Sequence, residues 1–178
     1  MVSAKRILEL GCGQALPAIA AAKCGALSVT VQDFNEEVIE KCTRPVFIEN
    51  GLSDFPATYL FGSWESMLTD SQLKSSFDVI IMSETLYNVS YYPSLFALVT
   101  HCLAPSGMVL VGTKTFYYGL GGGQFELIKF LKENHTRLVP QVLMKINDMK
   151  SIERVILKLS YSEEPQSMQI DGEDDFSL

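Results

Sequence analysis

Short apolar runs alternate along this chain with stretches of helical spacing. RILEL (6 to 10), SVTVQD (28 to 33), TYLFGSW (58 to 64), FDVIIMSE (77 to 84) and GMVLVGTK (107 to 114) read as strands. Helices are expected at 16 to 24, which is rich in alanine, at 36 to 50, at 65 to 74 and at 92 to 103. Pro45 is expected to bend or break the second of these. FELIKFLKENH (125 to 135) spaces Phe125, Leu127, Ile128 and Leu131 as one helical face. LVPQVLMKI and IERVILKLS then form two strands, predicted to pair as a hairpin around NDMK. Alternating strands and helices predict an α/β, Rossmann-like sheet, mostly parallel, with helices on both faces and an antiparallel C-terminal hairpin strand. Ligands of such sheets bind beyond the carboxyl ends of the strands, where the strand order reverses.

Composition narrows this further. A chain of 178 residues with 47% hydrophobic and 20% charged residues fits one globular domain. No run approaches the roughly 18 apolar residues of a membrane span, so no membrane role is expected. The start, MVSAKRILEL, lacks the apolar region of a signal peptide, and an intracellular chain is expected. Cys12, Cys24, Cys42 and Cys102 show no metal-ligand spacing; reduced, mostly buried thiols are expected, and no metal. The net charge is −7, but residues 161 to 178 hold six acids and no Lys or Arg. The rest carries 14 basic against 15 acidic residues. The expectation is a near-neutral domain over 1 to 160, followed by an acidic, disordered tail. The absence of a basic excess weighs against direct nucleic-acid binding.

The candidate chemistry lies at strand ends. LELGCGQA places Gly11 and Gly13 between the first strand and helix, but Leu16 occupies the third glycine position of a dinucleotide fingerprint. A nicotinamide cofactor is therefore the weakest reading. Asp33, at the end of the second strand, can accept hydrogen bonds from ribose hydroxyls or cap the following helix. Trp64, the sole tryptophan, follows the third strand and offers a flat, partly apolar face or simply packs in the core. The fourth strand, with VIIM buried on both faces, delivers Ser83, Glu84, Tyr87 and Asn88 to the ligand edge. YYGLGGGQ (117 to 124) concentrates glycines after the fifth strand, where a phosphate loop and a substrate mouth compete as readings.

Three of these stretches carry a resemblance. LELGCGQA resembles motif I (E/D-x-G-x-G-x-G) of class I S-adenosylmethionine-dependent methyltransferases, with Ala15 in place of the last glycine. SETLYN contains the E-x-x-Y signature of family 16 methyltransferases, and with YYGLGGG it looks like the protein-histidine methyltransferases of the methyltransferase-like protein 18 type. The resemblance covers about 1 to 160. It implies a seven-stranded class I sheet and S-adenosyl-L-methionine as cofactor, held by Glu9, Gly11, Gly13, Asp33, Trp64 and Ser83. It implies catalysis by Glu84, Tyr87 and Asn88, with Glu84 or the Asn88 amide oxygen accepting the N–H of a target imidazole. Tyr117, Tyr118, Gly121 and Gly122 are expected at the substrate mouth, the glycines leaving room for a protein segment. A ribosomal protein is the implied substrate class. Lysine is the alternative acceptor, and a catalytically silent protein-binding module the alternative outside enzymes. Family members carry a segment ahead of motif I, and only four residues precede Lys5 here, so that segment is expected to be missing. A monomer in the cytoplasm, with nucleus or nucleolus as further locations, completes the expectation.

Overall fold

The computed structural model describes residues 1–162; most of the expected acidic tail, from 163 to 178, lies outside the described residues. The strands are β1 (Arg6–Leu10), β2 (Ser28–Asp33), β3 (Ala57–Phe61), β4 (Phe77–Ser83), β5 (Leu103–Lys114), β6 (Leu138–Ile146) and β7 (Arg154–Tyr161). They form one sheet in the order β3-β2-β1-β4-β5-β7-β6. The first five are parallel, and β7 enters antiparallel between β5 and β6. The order reverses between β1 and β4, so the loops after these two strands open a crevice at their carboxyl ends.

Period-two alternation distributes the apolar side chains to two cores. Leu8, Leu10, Ile80 and Met82 pack beneath α5 (Tyr92–Cys102) and α6 (Gln124–Glu133), meeting Leu95, Leu98, Leu127 and Leu131. Ile7, Val29, Val31 and Val79 face α1 (Leu16–Lys23), whose Ala18, Ala21 and Ala22 allow close approach. Each fully buried Ile, Leu or Val contributes about 1.5–3 kcal/mol of hydrophobic stabilisation. Among the described residues no helix is long and apolar enough to cross a membrane.

Several sequence expectations shift in the fold. The helix expected over 36 to 50 continues past Pro45, as α2 (Glu36–Val38), a π turn (Ile39–Thr43) and α3 (Arg44–Glu49). Pro45 has no N–H to give, and the helix widens just ahead of it: Arg44 N–H bonds back five residues to Ile39. The strand expected to run to Trp64 stops at Phe61. Gly62 turns the chain, and the Ser63 hydroxyl accepts the Ser66 N–H at 3.2 Å, capping α4 (Trp64–Met67). The helix expected over 65 to 74 ends after one turn because polar side chains capture the backbone: the Asp70 carboxylate takes the Gln72 N–H at 2.8 Å. β5 starts four residues early, with an irregular register against β4. Only Cys12 and Cys102 are buried; Cys24 and Cys42 are exposed. Tyr161 belongs to β7 rather than to the tail.

Candidate active site

The reversal crevice holds a cleft of about 480 Å³, the size of a small-molecule site. Its base is the turn after β1. Gly11 adopts φ +63°, and a Cβ there would stand 2.8 Å from Thr85 Cγ2, so this wall admits glycine alone without a shift. Gly13 N–H donates to Asp33 Oδ2 at 3.0 Å, and Asn35 N–H donates to Asp33 Oδ1 at 3.2 Å. Each carboxylate oxygen thus keeps a lone pair for a ligand. Gln32 is buried and knits three strand ends together. Its Oε1 accepts Trp64 Nε1–H at 3.0 Å and Gly11 N–H at 3.3 Å, and its Nε2 donates to the Gly62 carbonyl at 2.9 Å. Trp64 continues into an aromatic row, with Tyr91 at 6.3 Å and Tyr87 a further 6.1 Å away, both edge-to-face. The lining includes Asp33, Glu65 and Glu84 and no basic side chain.

The π turn braces the glycine loop from behind. Thr43 hydroxyl donates to the Gly13 carbonyl at 2.6 Å and lies 3.8 Å from the buried Cys12 Sγ. Burial pushes the Cys12 thiol up to about 12, so it carries no thiolate chemistry at neutral pH. Ala15 stands at φ 55°, in the left-handed region, which is the physical reason a glycine occupies that place in the motif it resembles. Glu9 is buried one strand step away. Its Oε2 accepts the Ala18 N–H of α1 at 2.8 Å, and burial raises its carboxyl to about 7 against the opposing pull of that bond. It lines a smaller cavity of about 250 Å³ with Gly11, Gln14, Leu16 and Ser83.

At the other side, Glu84 leaves β4 with φ 56°, its N–H on the Gly112 carbonyl at 2.9 Å. Its Oε2 accepts the Tyr117 hydroxyl at 2.7 Å and lies 4.0 Å from Lys114 Nζ. Asn88 turns its amide oxygen away to cap the 3-10 turn at Val89–Tyr91, accepting Ser90 N–H at 3.0 Å and Ser90 Oγ–H at 2.8 Å. The glycine loop is clamped onto this segment. Gly121 bridges Asn88, and a Cβ on Gly122 would run into the Leu86 carbonyl. Buried Tyr92 donates to the Leu86 carbonyl at 2.9 Å and accepts Gly123 N–H at 3.0 Å. Gly122 therefore lets the chain's own backbone approach, whereas Gly121 has open space on its Cβ side. Tyr118 is 81% exposed, and its ring touches only Phe116 among the aromatic pairs.

The cleft thus gathers Gly11, Asp33, Trp64, Ser83, Glu84 and Tyr87 from the residues singled out in the sequence. Gly13 joins it through Asp33, and Tyr117 through Glu84. Glu9, Asn88, Tyr118, Gly121 and Gly122 do not line it. Sequence reasoning missed Gln32, Thr85 and Tyr91. A Gln in a strand of β-branched neighbours, just before the acid that ends it, was the only signal for the first. Among the described residues no three His, Cys, Asp or Glu side chains are grouped to hold a metal ion.

Residues 1–118 match the model of the family 16 methyltransferases, described as lysine methyltransferase. The chain belongs to this family. It is 36% identical over 163 residues to a histidine protein methyltransferase 1 homolog of Dictyostelium discoideum, covering 89% of this chain and 52% of that one. It is 31% identical to the homolog of Bos taurus, over 74% of this chain and 42% of that protein. The chain thus spans about half the length of the relatives it matches. The family's class I methyltransferase fold is also that of an S-adenosylmethionine dependent methyltransferase from Mesorhizobium loti, with a TM-score of 0.65 at 15% identity over 89% of this chain and 91% of that one. The cleft fits the cofactor of that class. A site lined by three carboxylates, of which only Glu84 faces a lysine among the described residues, suits a sulfonium cation and disfavours a pyrophosphate; Trp64 presents an indole and Asp33 a carboxylate in the same cleft.

Proposed function

We propose that this family 16 methyltransferase domain transfers a methyl group from S-adenosylmethionine to an imidazole nitrogen of a protein histidine, with ribosomal proteins as the acceptor class. The observation that carries the reading is the joining of Asp33, Trp64 and Glu84 in one acidic cleft, with Glu84 tied to Tyr117 and 4.0 Å from Lys114 Nζ. When bound, the cofactor supplies an already activated methyl group. Asp33 would hold the ribose hydroxyls, and Trp64 the adenine. Glu84 would accept the N–H of a neutral imidazole, leaving the other ring nitrogen its lone pair, and would steady the positive charge as it grows. Histidine is substantially neutral at physiological pH, so no strong base is required.

Lysine is the second reading, favoured by the family description. Lys114 Nζ, 4.0 Å from Glu84 Oε2, already supplies a cation there, and a second ammonium would meet its repulsion. A ring that arrives neutral avoids that cost at binding and meets it only as charge develops against Glu84. The test is transfer of labelled methyl from S-adenosylmethionine to a ribosomal protein fraction, followed by mass spectrometry of the modified residue. A methylated histidine is expected; methyl-lysine selects the second reading. No transfer despite calorimetric binding of S-adenosylhomocysteine would leave a silent module.

A further inference from the structure

The sequence places Tyr117 as a flank of the acceptor, but in the fold its hydroxyl is spent on Glu84. It donates to Glu84 Oε2 at 2.7 Å while accepting from Thr113 Oγ1 at 3.3 Å and, at 3.5 Å, from Lys114 N–H. Lys114 Nζ lies 4.9 Å from the centre of the Tyr117 ring and 4.0 Å from the same carboxylate oxygen. Thr113 and Lys114 end β5 and Tyr117 follows three residues beyond it, so one short stretch of chain presents all of these groups. Glu84 needs such a hold. Its side chain is 48% exposed, and its backbone stands at φ 56°, a conformation that persists where surroundings over-determine it. An exposed carboxylate on a turn otherwise samples several rotamers. Oε1 takes no hydrogen bond among the described residues, while Oε2 is committed to Tyr117.

We propose that Tyr117 is a positioning residue that acts through Glu84, fixing Oε2 so that Oε1 is presented to the acceptor ring. The inference rests on the methyltransferase reading above. It assigns Tyr117 to neither cofactor nor acceptor. Burial, and then the neighbouring Glu84, raise the Tyr117 phenol above its ordinary value, so it stays a donor across the working pH range.

The test is a double-mutant cycle with Tyr117→Phe, Glu84→Gln and the pair, using labelled S-adenosylmethionine and the ribosomal protein fraction. Tyr117→Phe should lower kcat about tenfold or more, because a misplaced group loses its effective concentration. Affinity for S-adenosylhomocysteine should not change. The double variant should be no slower than Glu84→Gln alone, since residues acting as a unit are non-additive. Multiplying effects would show that Tyr117 meets the acceptor itself, and overturn the proposal. A wild-type rate for Tyr117→Phe, or lost S-adenosylhomocysteine affinity in it, would do the same. Should the wild type transfer no methyl at all, the methyltransferase reading fails and the coupling is still measurable. The ultraviolet titration of Tyr117, taken as wild type minus Tyr117→Phe, should move to lower pH in Glu84→Gln; an unmoved titration overturns the proposal.

Discussion

Gln32 bears on one amide the hydrogen bonds that hold three walls of the cleft. Replacing it by leucine keeps the volume and leaves Trp64 Nε1–H and Gly11 N–H without their acceptor. An orphaned donor costs up to about 1–3 kcal/mol, the full amount where water cannot take the acceptor's place. Gln32→Leu is therefore expected to weaken S-adenosylhomocysteine binding by at least about tenfold, which corresponds to about 1.4 kcal/mol. Calorimetry checks the affinity, and the fluorescence of Trp64, the sole tryptophan, reports the released indole directly. Unchanged affinity together with unchanged emission would remove Gln32 from the site. Asp33 was legible because an acid ends a strand about twenty residues after a glycine pair. Gln32 was not, since an amide in a strand has no motif and gains its meaning from the neighbours on either side.

Whole elements are joined by similar single contacts. The buried Tyr92 hydroxyl, from the first position of α5, links the loop after β4 to the glycine loop before α6. Tyr92→Phe removes only an oxygen yet strands the Gly123 N–H. The expected loss is about 1–3 kcal/mol of unfolding free energy, read by chemical denaturation, with faster amide exchange at Gly123. A variant as stable as the wild type, with Gly123 still protected, would refute the clamp. The glycine loop is thus, at Gly122, a packing device before it is anything else. Its sequence is expected to leave room for an incoming protein segment; at Gly122 that room is filled by the chain's own Leu86 and Tyr87 backbone. Helix lengths show the same division. The periodicity near 65 to 74 was correct for one turn, and Asp70 and its hydroxyl neighbours ended the helix by competing for backbone groups.

At the scale of the molecule, the parallel strands bury a carboxyl group, and stability then depends on pH. Glu9 is 1% exposed, and its carboxyl is raised from 4.5 to about 7 by burial, partly offset by Ala18 N–H. Between these values the folded protein holds more protons than the unfolded chain, so stability falls as pH rises. The contribution is full below about 4.5 and lost as pH passes about 7. Its size is about 3 kcal/mol, since each pH unit between the unfolded and folded values is worth about 1.4 kcal/mol. Glu9→Gln keeps an acceptor for Ala18 N–H without the charge. The variant should therefore gain stability relative to wild type as pH rises from about 5 to about 8, measured by denaturant unfolding. A constant difference across that window would sink the account.

The sequence by itself determined the strand and helix alternation, the parallel sheet with its antiparallel hairpin, and the strand ends where Gly11, Asp33, Trp64 and Glu84 would appear. These follow from period, turn chemistry and the rule that ligands gather at carboxyl ends, all of which are local in the chain. Only the tertiary structure decided which groups meet. Trp64 opens a helix and finds Gln32 from another strand; Tyr117 gives its hydroxyl to Glu84 across 33 positions; Asn88 turns to its own backbone and Glu9 goes under α1. Such partnerships depend on the packing of separate elements, and one-dimensional spacing carries no information on the distance between them.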